Sequence, residues 1–289
     1  MLTVILGLSG ALTYGAADFY GGLAARRSST LLTTAGVAIV GLLGLLVASL
    51  FVPATSSAEA WLLGAASGLA GAAGIGLLYG SLAIGPMSIL SPVTAFLSAV
   101  VPVSIGLGMG EGSGIGFLGA MGLALIAIIF VGFVPEKGAV RPRPVGLIMA
   151  ASSGALIGFT LVLFAATPDD SGLIPLLANR FVSSLTLVLV ILGVILWHST
   201  RGRTPRLPGL SHIPAVWSMI VVAGVLDVVA NIVVLYGLRV GALSVMAVLV
   251  ALYPAGTILL ANVVLKERIA PIQYVGLALA LTASALLAL

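Results

Sequence analysis

Ten apolar runs, each about as long as a bilayer-crossing helix, constrain this chain more than any other feature of its sequence. A transmembrane helix needs roughly 20 mostly apolar residues, and runs of this kind follow one another along the whole chain. They are continuous, whereas a membrane-spanning strand alternates apolar and polar residues. We therefore predict an all-α membrane protein with ten transmembrane helices. The predicted spans are residues 2–24, 31–52, 60–83, 86–109, 115–134, 145–166, 173–197, 213–238, 241–264 and 270–288.

The composition excludes a soluble enzyme. Of the 289 residues, 61% are apolar and only 7% are charged, whereas a soluble domain carries about 25% charged residues. The chain has no cysteine, which rules out disulfides and thiol catalysis. Its two histidines, His198 and His212, lie beside charged loop residues and not deep in a span. We therefore predict no catalytic residues, no metal site and no cofactor.

The distribution of charge predicts how the chain sits in a membrane. The net charge is +4 and the pI is about 9.8, which favours cationic loops on an anionic membrane face over nucleic-acid binding. With the N-terminus outside, ten of the 12 Lys and Arg residues fall in inner loops, in agreement with the positive-inside rule. We predict a multi-pass protein of the prokaryotic cell (inner) membrane, with the bilayer as a partner and the oligomeric state left open.

The two halves of the chain resemble each other. Leu-Tyr-Gly at 78–80 recurs at 235–237, and a series of Gly, Ser, Ala and Glu then recurs at a spacing of 156. Five spans per half is an odd number, so the second half must enter the membrane inverted. Inverted repeats are typical of secondary transporters, with the substrate site near mid-membrane. The sequence thus predicts two inverted five-helix repeats, 1–135 and 145–289, joined by a linker loop at 136–144.

This order of motifs resembles the EamA-like family of the drug/metabolite transporter superfamily. The resemblance rests on the segment 235–242, on Tyr253-Pro254, on the turn 265–268 and on Gly276, together with the span count. It implies a short fourth helix with a proline in each repeat. The first half departs from the pattern, with Ser98 where the second half has Pro254.

Asp227 and Asn231 are candidate substrate or proton-pathway residues. An Asp at the centre of a span costs about 2.5–3.5 kcal/mol on insertion scales. Asn231 lies one turn later and shares its helix face. The pair should therefore point into the bundle or a watery cavity. It could bind substrate or carry protons, or it could only fix helix packing.

Three other polar residues in spans belong to the same predicted pathway. Asp18 has Tyr14 one turn before it and is a possible second carboxylate, although it could instead reach interfacial water or pair with Arg26 or Arg27. Arg180 could grip an anionic group of a substrate through its planar guanidinium. It could equally neutralise Asp227 or reach the headgroups.

Prolines and hydroxyls mark the fourth and ninth spans as candidate gate helices. Proline removes backbone hydrogen bonds, and nearby hydroxyls can satisfy the freed carbonyls. Such helices could line a cavity, or they could be bent packing helices. The candidate pathway residues are Ser91, Thr94, Ser98 and Tyr253, and the candidate kinks are Pro92, Pro102 and Pro254.

The sequence favours a secondary transporter of small amino-acid-like, nucleoside-like or amphipathic metabolites. We expect an exporter or exchanger that works by alternating access, with protons as candidate coupling ions. No Walker motif is present, so ATP is not a direct energy source. The alternative is a channel or carrier for inorganic cations, which would favour rings or clusters of carboxylates.

Overall fold

The computed structural model is helical throughout the part of the chain that it describes, which comprises residues 1–28, 30–84, 87–112, 114–132, 142–200, 214–266 and 269–288. No strand occurs within these ranges, and the prediction of an all-α protein is confirmed. The helices are α1 (Leu2–Arg27), α2 (Thr30–Ser49), α3 (Ala58–Ile84), α4 (Met87–Gly108), α5 (Ile115–Gly132), α6 (Pro144–Ala165), α7 (Ile174–Thr200), α8 (Pro214–Val240), α9 (Leu243–Val250), α10 (Tyr253–Leu265) and α11 (Pro271–Ala288).

The surface of the bundle is apolar, as a protein dissolved in lipid requires. Eight stretches are long and apolar enough to cross a membrane, and α4 and α11 contain shorter apolar stretches, Pro92–Gly108 and Pro271–Leu287. Large side chains such as Leu43, Leu62 and Leu189 are more than half exposed. Soluble monomers rarely expose apolar patches larger than a few hundred Å². The chain is therefore an integral, multi-pass membrane protein.

The helices pack in a pattern that crosses between the two halves of the chain. α1 packs along α8 and also against α9 and α10, and α6 packs along α3 and α4. α2 contacts α7 and α8, while α5 contacts α11. Every residue of α9 is buried. The core therefore lies where first-half and second-half helices meet, and not within either half.

The ninth predicted span is broken into two helices. α9 ends at Val250 and α10 begins at Tyr253. Pro254 has no N–H with which to bond the carbonyl of Val250, and its ring would crowd that carbonyl in a continuous helix. The break is bridged by shorter-range bonds, from Leu252 N to Leu249 O at 3.2 Å and from Ala255 N to Leu252 O at 2.9 Å. Pro254 thus occupies the first turn of α10, where proline is well tolerated.

Two connections and the end of α8 meet at one end of the bundle, and we call this contact the loop junction. The backbone N–H of Thr55, between α2 and α3, donates to Asp170 O at 2.9 Å. Arg239, at the end of α8, donates to Gly172 O at 2.7 Å and to Ser171 Oγ at 3.1 Å. These bonds tie the α2–α3 and α6–α7 connections to α8.

Gly172 in the loop junction should tolerate alanine poorly. Its φ is +55°, and an added Cβ would lie 2.7 Å from Pro53 O. Gly110 is a matched control, because its φ is +89° but no atom lies within 4 Å of a Cβ there. We expect Gly110→Ala to cost about 1 kcal/mol of backbone strain and Gly172→Ala about 2 kcal/mol, since steric overlap adds to strain. Thermal unfolding in detergent would measure the stability of both variants. Equal losses of stability would contradict the predicted steric overlap at Gly172.

A carboxylate from the first half binds the start of α9. Glu111 lies between α4 and α5, and its two carboxylate oxygens accept the backbone N–H groups of Leu243 at 2.7 Å and Ser244 at 2.8 Å. The first N–H groups of a helix have no partner within the helix. A carboxylate is a strong acceptor for them and complements the positive end of the helix dipole. Glu111 therefore anchors a helix that belongs to the other half.

Candidate functional site

Helix geometry points the central carboxylate into the bundle. On α8, the exposed side chains include Val225 and Val229, which mark its lipid-facing side. At about 100° per residue, Asp227 lies roughly 160° from both of them around the helix. The sequence expectation that an aspartate at this depth avoids lipid agrees with this placement. Its side chain is 18% exposed.

Asp227 forms an ion pair with Arg180 of α7. Arg180 Nη2 donates to Asp227 Oδ2, and the arginine side chain is 15% exposed. Asn231 supports the same carboxylate, because its Nδ2 donates to Asp227 Oδ2 at 3.2 Å and to the backbone carbonyl of Asp227 at 2.7 Å. The sequence left three roles open for Arg180, and in the structure it neutralises Asp227.

Small and polar neighbours fix the position of Arg180. A Cβ on Gly41 of α2 would lie 3.5 Å from both Cδ and Nε of Arg180, so the arginine stem passes over this glycine. Asn179, the preceding residue, donates from Nδ2 to Ser67 Oγ of α3 at 2.8 Å. The sequence analysis did not select Gly41, Ser67 or Asn179. Ser67 and Asn179 could have been found as polar side chains within apolar spans, whereas nothing in the sequence distinguishes Gly41.

Tyr14 and Asp18 of α1 lie within electrostatic range of this ion pair. The charge of Asp227 acts on both residues, and Tyr14 is also influenced by Arg180 and Asp18. Tyr14, Asp18, Arg180, Asp227 and Asn231 therefore form one group, which we call the polar cluster. Three helices, α1, α7 and α8, supply it. All five residues were selected from the sequence, and the structure brings them together.

Thr94 and Ser98 of the fourth span bond backbone carbonyls and not the polar cluster. Thr94 Oγ1 donates to Leu90 O and to Ala150 O of α6, both at 3.1 Å, and Ser98 Oγ donates to Ala95 O at 2.8 Å. Both residues are buried where α4 packs on α6. The side chain of Ser91 lies outside the described residues.

The candidate kink prolines occupy two different settings. Pro92 and Pro102 lie inside α4, which continues past both of them. Tyr253 and Pro254 begin α10, and the carbonyl of Tyr253 lies beside Gly15 of α1. The backbone is therefore interrupted in the ninth span and not in the fourth.

The polar cluster brings charged and hydrogen-bonding groups together inside an apolar bundle. It offers two carboxylates, one guanidinium, a phenol and an amide. The carboxylate of such an ion pair can release the guanidinium and bind a proton or a cationic ligand instead. The released guanidinium can then bind an anionic ligand. Such exchange is the chemistry of a binding and release site within a membrane.

Comparison with known proteins agrees with the resemblance seen in the sequence. The model of the EamA-like transporter family, a drug/metabolite transporter family, matches residues 144–289. Among solved structures, 27 chains match. One, described only as the crystal structure of a protein, has a TM-score of 0.75 at 15% identity, covering 99% of this chain and 96% of its own. At that identity it supports the fold alone. No curated protein matches.

Proposed function

Because the chain belongs to the EamA-like transporter family, we propose that it is a secondary transporter that exports or exchanges small metabolites by alternating access. The observation that carries this proposal is the polar cluster inside an otherwise apolar bundle. Ionisable groups in membrane spans are costly, and they typically mark substrate or ion pathways. The substrates we propose are amino-acid-like, nucleoside-like or amphipathic compounds.

The helix contacts support a repeat related by inversion. If α1, α2, α3, α4 and α5 correspond to α6, α7, α8, α9–α10 and α11, the contact of α1 with α8 has a counterpart in that of α6 with α3. The contact of α1 with α9 and α10 likewise corresponds to that of α6 with α4. We propose repeats at 1–135 and 145–289 on this basis. Two such halves can rock against each other around a central site, as alternating access requires.

The distribution of charge supports placement in a prokaryotic cell membrane. Most Lys and Arg residues lie in connections that share one predicted side, including 136–144. The opposite side carries Glu59, Asp169 and Asp170 at helix ends and in loops. This asymmetry follows the positive-inside rule. Both chain termini then lie outside the cell.

Asp227→Asn should reduce transport at least about tenfold, a loss that corresponds to about 1.4 kcal/mol. The amide keeps the shape of the side chain but removes the charge that binds Arg180 or a cationic ligand. The assay would use purified protein in proteoliposomes without ATP, with a panel of labelled amino acids, nucleosides and organic amines. Solute movement by the wild type and its loss in the variant are the expected results.

A matched control removes one negative charge away from the polar cluster. Glu59 is exposed in the first turn of α3, so Glu59→Gln should transport like the wild type. If no solute of the panel moves through the wild type, the transporter proposal fails. If Asp227→Asn transports normally at every pH, Asp227 has no part in the mechanism.

A further inference from the structure

We propose that Asp18 forms a subsite for a positively charged group of the substrate, an ammonium or a related cation. The inference rests on the proposed transport function and narrows its substrate class. Composition alone favours neutral or zwitterionic compounds, because few residues in the spans are charged. The three-dimensional arrangement of those few charges leads to a different expectation.

The charges of the polar cluster leave one carboxylate uncompensated. Arg180 is engaged by Asp227, and this is the ion pair of the cluster. Within the described ranges, Asp18 has neither a hydrogen bond nor an ion pair. The ionised cluster therefore carries two negative charges and one positive charge. A ligand with a positive group would neutralise the excess negative charge, whereas an anionic ligand would be repelled by Asp18.

Asp18 faces the interior of the protein and not the lipid. The lipid-facing side of α1 is marked by Leu2 and Ile5, which are 56% and 59% exposed. At about 100° per residue, Asp18 lies roughly 140–160° from them around the helix. Asp18 is nevertheless an exposed side chain. An exposed side chain on the inner face of a helix borders an open space within the bundle.

The same face of α1 remains open beyond Asp18. Gly22 lies one turn further on, and no atom lies within 4 Å of a Cβ placed there. The surface of α1 one turn beyond the carboxylate is therefore not covered by a neighbouring side chain or backbone. An unpaired carboxylate inside an otherwise apolar bundle is costly unless something compensates its charge, and a transported cation would do so during each cycle.

The helices packed against α1 bring few other charges to this space. α8 brings Asp227, which is paired with Arg180 of α7, and carries Tyr236 and Arg239 nine and twelve residues further on. Tyr253 is the titratable residue of α10, and Tyr274 is that of α11. The described residues of α2 and α9 contain no ionisable side chain. Tyr14, one turn before Asp18, adds an aromatic ring, and such rings attract cations.

A charge series of compounds of similar shape tests the subsite on the purified full-length protein. Choline carries a fixed positive charge, 3,3-dimethylbutanol is its neutral isostere, and 3,3-dimethylbutyrate is a related anion. Ligand binding to the folded state raises the thermal unfolding temperature. We expect choline to raise it, and to bind roughly tenfold more tightly than the neutral isostere. The anion should bind least.

Variants of Asp18 assign the effect to this carboxylate. Asp18→Asn should weaken choline binding roughly tenfold and leave binding of the neutral isostere unchanged, whereas Asp18→Glu should retain the preference for the cation. Glu59→Gln should bind like the wild type. If Asp18→Asn keeps full choline affinity, the subsite is not at Asp18.

The wild type alone also decides the question, should the asparagine variant fail to fold. Equal binding of the three compounds, or tighter binding of the anion, would overturn the cation subsite. Transport of neutral or anionic solutes in proteoliposomes would then leave the transporter proposal intact. Absence of transport for the whole panel would instead remove the proposed function itself.

Discussion

Arg180→Met should destabilise the folded protein by about 3 kcal/mol and abolish transport. Removal of one partner from a buried ion pair typically costs 3–5 kcal/mol, because the remaining charge is left without compensation. The lower end of that range applies here, since Arg180 and Asp227 retain 15% and 18% exposure. The variant would also leave the polar cluster with two carboxylates, Asp18 and Asp227, and no cation. Denaturant unfolding in mixed micelles would measure the loss.

A double variant separates stability from transport. Arg180→Met combined with Asp227→Asn removes both charges, and Asn231 can still donate to the new amide oxygen. We expect this double variant to recover more than half of the lost stability but no transport. If the double variant instead loses as much stability as the two single variants together, the ion pair contributes little to the coupling of α7 with α8.

Gly15→Val should destabilise the protein by about 3 kcal/mol, at the upper end of the range for overpacking. An added Cβ on Gly15 of α1 would lie 2.5 Å from Tyr253 O and 2.7 Å from the Cα of Gly256. These are backbone atoms of α10, so no side chain can rotate away. The bond from Thr257 Oγ1 to Gly15 O, 3.1 Å long, would also be lost.

Gly22→Val in the same helix is the control for this change. Gly15 contacts α10, whereas no atom lies within 4 Å of a Cβ placed on Gly22. Valine at Gly22 should therefore change the free energy of unfolding by about 0.5 kcal/mol or less. The two variants share a helix and a residue type. Thermal unfolding of both would therefore isolate the α1–α10 contact, and similar losses would contradict its importance.

The fold was largely predictable because the bilayer simplifies the physics. Long apolar runs must form helices in lipid, and the charged segments between them form the connections. The ten predicted spans agree with the helices to within a few residues at most ends. The break in the ninth span follows from Tyr253-Pro254, which the sequence analysis had already selected.

The partners within the site were less predictable, because the helices are apolar all round. A helix with no polar stripe does not reveal which face points inward. Arg180 and Asp227 are 47 residues apart in sequence, so their ion pair depends on how α7 packs near α8. The sequence left Arg180 with three possible partners for this reason. For Thr94 and Ser98 it left a cavity and a packing interface equally open.

The bond between Glu111 and α9 limits how the ninth span can move. A shift of α9 along its own axis by one turn, about 5.4 Å, would separate both backbone N–H groups from the carboxylate. A tilt about the N-terminal end of α9 would preserve them. The other end of α9 leads into the proline break, where the backbone is already interrupted. Glu111 thus gives the ninth span a fixed pivot, and a change of shape there is a swing of the far end and not a slide.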